Sequence, residues 1–498
     1  MAKHRYIIWA ALIAVLLLMH SAGTTRANEP MWPRFRGPNG SGLAAEGQNP
    51  PVEFGPEQNL LWKTPVPSGH SSPCIWGDHI FLTGFDKEKK ELQVFCIERS
   101  SGKIRWSRIV PAEKIEKVHS MSSPAAPTPT SDGKHVYIYF GSYGLLCYDY
   151  EGNEKWCKPI PIPSNKYGSD ASPTLYDQLL LINCDQKTDS YILAVNLHNG
   201  ETAWKRDRPM ATSGWSTPII WTHDDVEEVI LVGSRRVVAY NLKDGMERWW
   251  IGGLPHDEGP VNTPVLGNKT LFVAASYFGG DPDDPAKMPL FDSFIKQYDK
   301  NNDMNLSKDE IPPDLVLFPR LGPEWTLTRS FPMFDADENG LINHDEWKGA
   351  DEWLKARFSG RENMLIAIRP GGEGDATDTH ILWKQKRGIP QITSPLFYKS
   401  YIYLVKHGGI VSCYNAKSGQ LLFMERIKAK GYYYSSPVAA AGKVYMASML
   451  GVVTVIKADD TLNVLASNDL KERIFATPAV VENKLYVRTV KHMYAFGE

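Results

Sequence analysis

Two stretches of the 498-residue chain set short oxygen-bearing side chains at a spacing that can close around a metal ion. In Asp335 to Glu346, reading D-A-D-E-N-G-L-I-N-H-D-E, the alternate residues Asp335, Asp337 and Asn339 can turn into one small cavity. Gly340 supplies a sharp bend, the Leu341 carbonyl adds a backbone oxygen, Asn343 can act through water, and Glu346 can give two oxygens. An all-oxygen set suits calcium, a hard cation taking roughly six to eight such ligands, better than zinc or copper. Asp299 to Glu310 offers Asp299, Asn301, Asp303, the Asn305 carbonyl, Ser307 and Glu310 at the corresponding positions. There Met304 stands where the bend needs glycine, and Pro312-Pro313 cuts short the exit helix. The plainer alternative is a pair of solvated acidic loops that bind nothing.

Such loops need helices to hold them. Phe291, Phe294, Ile295 and Tyr298 precede the first loop, and Trp347, Leu354 and Phe358 follow the second, at roughly helical spacing. The second loop closely resembles the EF-hand pattern. The two loops begin 36 residues apart, which is similar to the separation in a packed EF-hand pair. In a calcium-rich compartment such a site would stay loaded and fold its own module instead of sensing the ion.

The rest of the chain is a repeat. A Ser/Thr-Pro step recurs at Ser72-Pro73, Thr128-Pro129, Ser172-Pro173, Thr217-Pro218, Thr263-Pro264, Ser394-Pro395, Ser436-Pro437 and Thr477-Pro478. In most copies a short apolar run follows seven residues after the proline, as in Leu180-Leu181-Ile182 and Val444-Tyr445-Met446. A turn glycine then precedes an aromatic residue by four positions: Gly102 and Trp106, Gly152 and Trp156, Gly200 and Trp204, Gly245 and Trp249, Gly419 and Phe423. Glycine supplies the positive φ of a tight hairpin, and the aromatic residue fills the following strand. The period of about 41 to about 56 residues suits one four-stranded propeller blade per copy. The exception is the fifth copy, where about 131 residues separate two steps and the acidic loops fill the excess.

The segments from Cys96 through Gly102 to Trp106, from Ala194 through Gly200 to Trp204, and from Ala239 through Gly245 to Trp249 resemble the A-x-D-x-x-T-G-x-x-x-W blade motif of the pyrroloquinoline-quinone-like propeller family. The resemblance implies an all-β, eight-bladed propeller with a small α-helical EF-hand insertion. The last copy ends after its third strand at Met493-Tyr494-Ala495-Phe496, so the unpartnered Leu60-Leu61-Trp62-Lys63 is expected to close the last blade. The expected organisation is a signal peptide over 1–27, propeller over 28–284, the inserted pair over 285–360, and propeller again over 361–498.

Lys3 and Arg5, the apolar run from Tyr6 to Met19, and Thr25-Arg26-Ala27 read as a secretory signal with its cleavage site. The protein is therefore expected to be exported, periplasmic or extracellular, with no transmembrane segment after cleavage. The six cysteines show no metal spacing and read as small core residues, with disulfide pairing left open. A formal net charge of -2 provides no field for nucleic acid.

Three functions compete, one of them resembling the scaffold propeller of outer-membrane protein assembly, a lipoprotein without EF-hands, against which the absent lipobox cysteine and the extra module both count. Of the other two, the first is a non-catalytic calcium-binding propeller that binds a protein, polymer or small molecule on its top face; no catalytic residue is assigned. The alternative is a quinoprotein dehydrogenase using pyrroloquinoline quinone and calcium, for which Asp170 is the one candidate base. Against it, the chain has no adjacent cysteine pair, a common feature of those enzymes. His70, Asp170, Trp215, Asn262, Gln391, Tyr433 and Arg473 each precede a Ser/Thr-Pro step and are expected at the channel mouth, as a binding site or as loop caps.

Overall fold

Each Ser/Thr-Pro step introduces the short inner strand of an antiparallel sheet, and eight such sheets follow one another along the chain. The structure, a computed structural model, describes residues 29–498 apart from 256–258, 260, 278–279, 284–287, 318–325 and 359–360, and apart from the side chains of 357 and 358. The expected signal segment and the Phe358 side chain lie outside the described residues. Blade one runs Cys74–Trp76, His79–Asp86, Glu91–Glu98 and Ile104–Val110. Inner strands of the later blades begin at Thr130, Thr174, Ile219, Val265, Leu396, Val438 and Ala479. As expected, Leu60–Pro65 pairs with His492–Phe496 and completes blade eight, so the ring has no open edge there.

The middle strands are buried on both sheet faces because each blade packs between two others, which explains their unbroken apolar runs. The core is accordingly divided into clusters between neighbouring blades. Leu181, Ile192 and Ala194 of blade three, for example, meet Ile220, Val229 and Leu231 of blade four.

The hydroxyls of the Ser/Thr-Pro steps have a structural reason. Ser72 N–H donates to Thr128 Oγ1 at 2.9 Å, Thr128 N–H to Ser172 Oγ at 2.9 Å, and Ser172 N–H to Thr217 Oγ1 at 3.1 Å. The series continues from Thr217 to Thr263, Thr263 to Ser394, Ser394 to Ser436 and Ser436 to Thr477. Thr477 N–H returns to Ser72 Oγ at 3.0 Å. One hydroxyl from every blade thus satisfies one buried backbone donor of the blade before it, in a closed circle. The proline that follows needs no donor of its own.

The glycine and tryptophan of the repeat work across blades. Trp156 donates its Nε1–H to the Leu197 carbonyl of the next blade at 2.8 Å, and Trp204 does the same to Leu242 at 3.0 Å. Gly200 and Gly245, at φ 71° each, lie on those indole rings where a Cβ would collide. Blade four departs from this pattern. Trp249 donates to the buried Glu228 carboxylate and is covered by Gly372, while Gly374–Asp375 adds a parallel strand beside Trp249 and Trp250. Gly372 is therefore the packing surface for that indole.

A strap formed by residues 31–50 crosses the channel at the face opposite the blade-to-blade links. Trp32 pairs with Ile75 of blade one, and Pro33 O accepts from Ser131 N–H of blade two. Arg34 donates to Thr174 Oγ1 and Pro218 O of blades three and four, and Asn39 bonds both backbone groups of Ile220. Arg36 donates to Pro395 O of blade six, Gly42 O accepts from Ala439 N–H of blade seven, and Asn49 N–H reaches Asn483 of blade eight.

Candidate functional site

The link face carries two groups of residues with chemical potential. The first lies in the insertion, which leaves blade five between its second strand, Thr270–Ala275, and its third, Met364–Ile368. In an up-and-down blade that loop emerges on the link side. Its root is tied to the Trp383-bearing edge and blade six by Asp281 to Lys406 at 2.5 Å and Asp283 to Arg387 at 2.6 Å. Helices Phe291–Tyr298, Leu327–Phe334 and His344–Phe358 surround a separate apolar core. Trp347 sits at its centre, with ring centroids 5.6 Å from Phe291, 4.9 Å from Phe294 and 5.4 Å from Phe334. After Glu310 the described residues 311–317 form turns without a helix, in keeping with Pro312-Pro313.

Both acidic loops turn the same way. Their midpoints pair as two short antiparallel strands, Leu306 opposite Ile342 and Ser307 opposite Leu341. Glu310 accepts from Lys300 N–H and Ser307 N–H, and Glu346 accepts from Ala336 N–H and Asn343 N–H. Asp299 accepts from Met304 N–H at 3.0 Å, and Asp335 from Gly340 N–H at 3.0 Å. Asn301 to Asp303 and Asn339 to Asp337 repeat one side-chain bond at 2.9 Å. Met304, with φ 62°, holds the left-handed conformation that Gly340 holds at φ 84°.

The loops differ in what converges. Carboxylate oxygens of Asp335, Asp337 and Glu346 lie within 4.8 Å of one another, the one such grouping of three among the described residues. Asp335 is 8 % exposed and its Oδ1 has no hydrogen-bond partner. A buried, unpartnered carboxylate oxygen facing two further carboxylates fits a bound cation, and the oxygen-only donor set fits calcium. Asn339 and the Leu341 carbonyl stand beside this trio in sequence order. Asp299, Asp303 and Glu310 do not converge to that distance, although Asn301 and Asn305 occupy their expected turn. An open groove of about 800 Å³ flanks the trio, with Met304, Met333, Phe334 and Trp353 as its apolar side.

The second group is aromatic and comes from the links, apart from His407, which lies in the hairpin between Tyr401–Lys406 and Ile410–Asn415 of blade six. His70 stacks on Phe475 at 4.1 Å, Tyr434 meets Phe475 at 5.2 Å, and His407 meets Tyr434 and Tyr432 at 5.9 and 4.8 Å. Arg473, exposed, lies over Phe475 at 4.9 Å. From the other links, His119, Tyr167 and Trp215 make a shorter run at 5.1 and 5.5 Å. Burial, aided by the charges of Arg488 and Arg473, lowers His70 to about 3, and burial lowers His407 to about 4, so both imidazoles are neutral at pH 7. Burial raises Glu116 to about 7, against the hydroxyl bond from Ser169, and raises Asp170 to about 6. Neutral rings flanked by the cations Arg473 and Lys166, with weakly acidic carboxyls, suit a ligand that presents flat or polar faces.

Of the residues expected at the mouth, His70, Asp170, Gln391 and Arg473 keep exposed surface. Three take the second of the two expected roles, that of loop caps. Tyr433 is fully buried with its hydroxyl on Ala429 O. Asn262 is spent on the Pro390 and Thr393 carbonyls, and Trp215 is 7 % exposed with its indole N–H on Gly168 O. Tyr432, Tyr434 and Phe475 were missed; the alternation of an extended link around buried Tyr433 is the signal that marks the first two. The six cysteines are all free thiols, five of them buried as expected, with Cys157 exposed on an outer strand.

The fold and its cross-blade glycine and tryptophan contacts define an eight-bladed propeller built from pyrroloquinoline-quinone-like repeats. The profile of the family described as outer membrane protein assembly factor BamB matches residues 113–277. BamB from Moraxella catarrhalis shares 12% identity over 87% of this chain and 100% of its own, with a TM-score of 0.52. A europium-containing methanol dehydrogenase shares 11% identity over 94% of this chain and 98% of its own, with a TM-score of 0.52. Saccharomyces cerevisiae Sqt1 shares 10% identity over 88% of this chain and 98% of its own, with a TM-score of 0.54. At these identities the likeness is one of fold. Sequence comparison with curated proteins finds no match.

Proposed function

We propose that this chain is an exported, calcium-binding propeller that works as a binding or scaffold protein, with the insertion as an EF-hand pair on the face that receives the ligand. The observation that carries the reading is the trio Asp335, Asp337 and Glu346 within 4.8 Å, with the buried Oδ1 of Asp335 unpartnered. Calcium would be held by these carboxylates together with Asn339 and the Leu341 carbonyl, and would supply the counter-charge that lets the loop close. Loop one, with Asp299, Asn301, Asp303, Asn305 and Glu310, would bind second and more weakly, because Met304 stands in the bend. The aromatic run from His70 to Tyr432 is the surface on which a protein, polymer or small-molecule ligand would rest. The match to an outer membrane protein assembly factor and the apolar N-terminal run support export and a scaffold role. No helix among the described residues is long and apolar enough to cross a membrane.

Asp170, raised to about 6 on the link face, favours a second reading as a quinoprotein dehydrogenase. That reading asks for calcium beside a quinone at the mouth. Among the described residues the one three-carboxylate grouping is in the insertion, and no two cysteines are adjacent, which supports the first reading over this one.

Calorimetric titration of chelator-stripped protein tests the proposal. Calcium binds the wild type, and Glu346→Gln loses the tighter site, because one of the trio's charges is gone. No heat from calcium in the wild type refutes the metal site. Tight binding of pyrroloquinoline quinone to the calcium-loaded form refutes the non-catalytic reading.

A further inference from the structure

Among the described residues three arginines are buried without a carboxylate partner, and each keeps at least one guanidinium nitrogen without an acceptor. Arg208 shows the ordinary arrangement: it is 2 % exposed and forked onto Asp185 at 2.6 and 3.0 Å. Arg488, 1 % exposed, has no carboxylate but spreads its nitrogens over the Ser71, Pro67 and Thr83 carbonyls. Its Nε alone is unpartnered, and Arg34 and Arg36 have fewer acceptors. Arg36, 0 % exposed, donates one nitrogen to Pro395 O, and its Nε and Nη1 have no partner. Arg34, 5 % exposed, donates one nitrogen to Thr174 Oγ1 and Pro218 O, and its Nε has none. Among the described residues neither forms an ion pair.

The two guanidiniums belong to the strap and lie near enough for the charge of Arg34 to act on Arg36, one reaching blades three and four and the other blade six. The strap holds them there by a tight turn: Gly37 N–H bonds Arg34 O, Gly42 N–H bonds Arg36 O, and Arg36, Gly37, Asn39, Gly40 and Gly42 all have positive φ. Removing two like charges from water side by side is costly, and neutral carbonyls repay little of it. Guanidinium does not shed its proton at neutral pH; burial, and for Arg36 the charge of Arg34, lower both only to about 9. A counter-charge from outside the chain would offset that cost. Arg34 keeps the residual exposure, 5 %, and so marks the side on which a small counter-ion can sit.

We infer that the closed end of the channel holds one small inorganic anion, a chloride, phosphate or sulfate, against Arg34 with Arg36 supplying the second charge, and that this ion fastens the strap across the blades. The inference does not rest on the calcium site or on the ligand of the link face.

The test is chemical. Full-length protein is desalted exhaustively, denatured, and the released anions are measured by ion chromatography, which also tells chloride from phosphate and sulfate. The wild type is expected to release a single equivalent and Arg36→Met none. Should that variant not fold, the wild type crystallised with bromide must show an anomalous peak within hydrogen-bond reach of Arg34. Absence of any released anion, equal release from a folded Arg36→Met variant, or no bromide peak at Arg34 overturns the inference.

Discussion

Replacing Ser172 by alanine isolates what the hydroxyl circle contributes. Ser172 is 2 % exposed, and its Oγ is the acceptor for the Thr128 N–H at 2.9 Å. Without it that donor is buried and unpaired, which costs about 1–3 kcal/mol, whereas a bond that merely exchanged with water would cost less. Thr128, Thr217, Thr263 and Thr477 fill the same role with an extra methyl, so Ser172→Thr is the control that keeps the acceptor. Equilibrium unfolding in urea should show a lower midpoint for Ser172→Ala with an unchanged slope, and nearly the wild-type midpoint for Ser172→Thr. Ser72→Ala should cost as much, because Thr477 N–H depends on Ser72 at the seam between the last and first blades. A loss below about 0.5 kcal/mol for Ser172→Ala, or an equal loss for Ser172→Thr, refutes the argument, since then the hydroxyl is not what satisfies that donor.

Three further outcomes follow from the geometry. Gly245→Ala puts a Cβ into the Trp204 ring at a backbone φ of 71°, and should cost roughly 2–4 kcal/mol in the same unfolding assay, with Trp204 fluorescence altered. Glu116 is 5 % exposed and its Oε1 is unpartnered. Because burial raises it from 4.5 to about 7, the stability tied to its neutral form is complete below about pH 4.5 and is lost as pH rises through about 7. Glu116→Gln should therefore stabilise the protein at pH 8, by at most on the order of 3 kcal/mol, and change little at pH 4. Met304→Gly relieves a left-handed methionine that is 64% exposed, and should tighten calcium at the first loop by up to about fivefold in titration calorimetry, a gain of up to about 1 kcal/mol.

Much of the architecture was legible because it is written in local patterns. A Ser/Thr-Pro step, an apolar run and a glycine four residues before an aromatic residue each describe neighbours along the chain, so their recurrence determined eight blades and a final blade lacking one strand. The twelve-residue acidic loops likewise announced their turn, and the structure repeats it hydrogen bond by hydrogen bond in both. Chemistry that depends on distant segments was not legible. Tyr433 and its neighbours Tyr432 and Tyr434 are the same residue type, and only the packing of the link decides that the middle one is buried. The Gly371–Gly374 run gives no hint that Trp249, far earlier, lies beneath Gly372.

The amino-acid order alone determined the repeat, the closing strand and the two candidate ligand loops, because each is encoded by periodicity or by spacing within a single turn. Tertiary structure decided that Asp335, Asp337 and Glu346 converge while Asp299, Asp303 and Glu310 do not. It also decided that eight hydroxyls close a circle, and that Arg36 lies against Pro395, 359 residues away. Burial and pairing at such separations are properties of the closed ring, and an uncompensated charge exists only once the ring has shut water away from it.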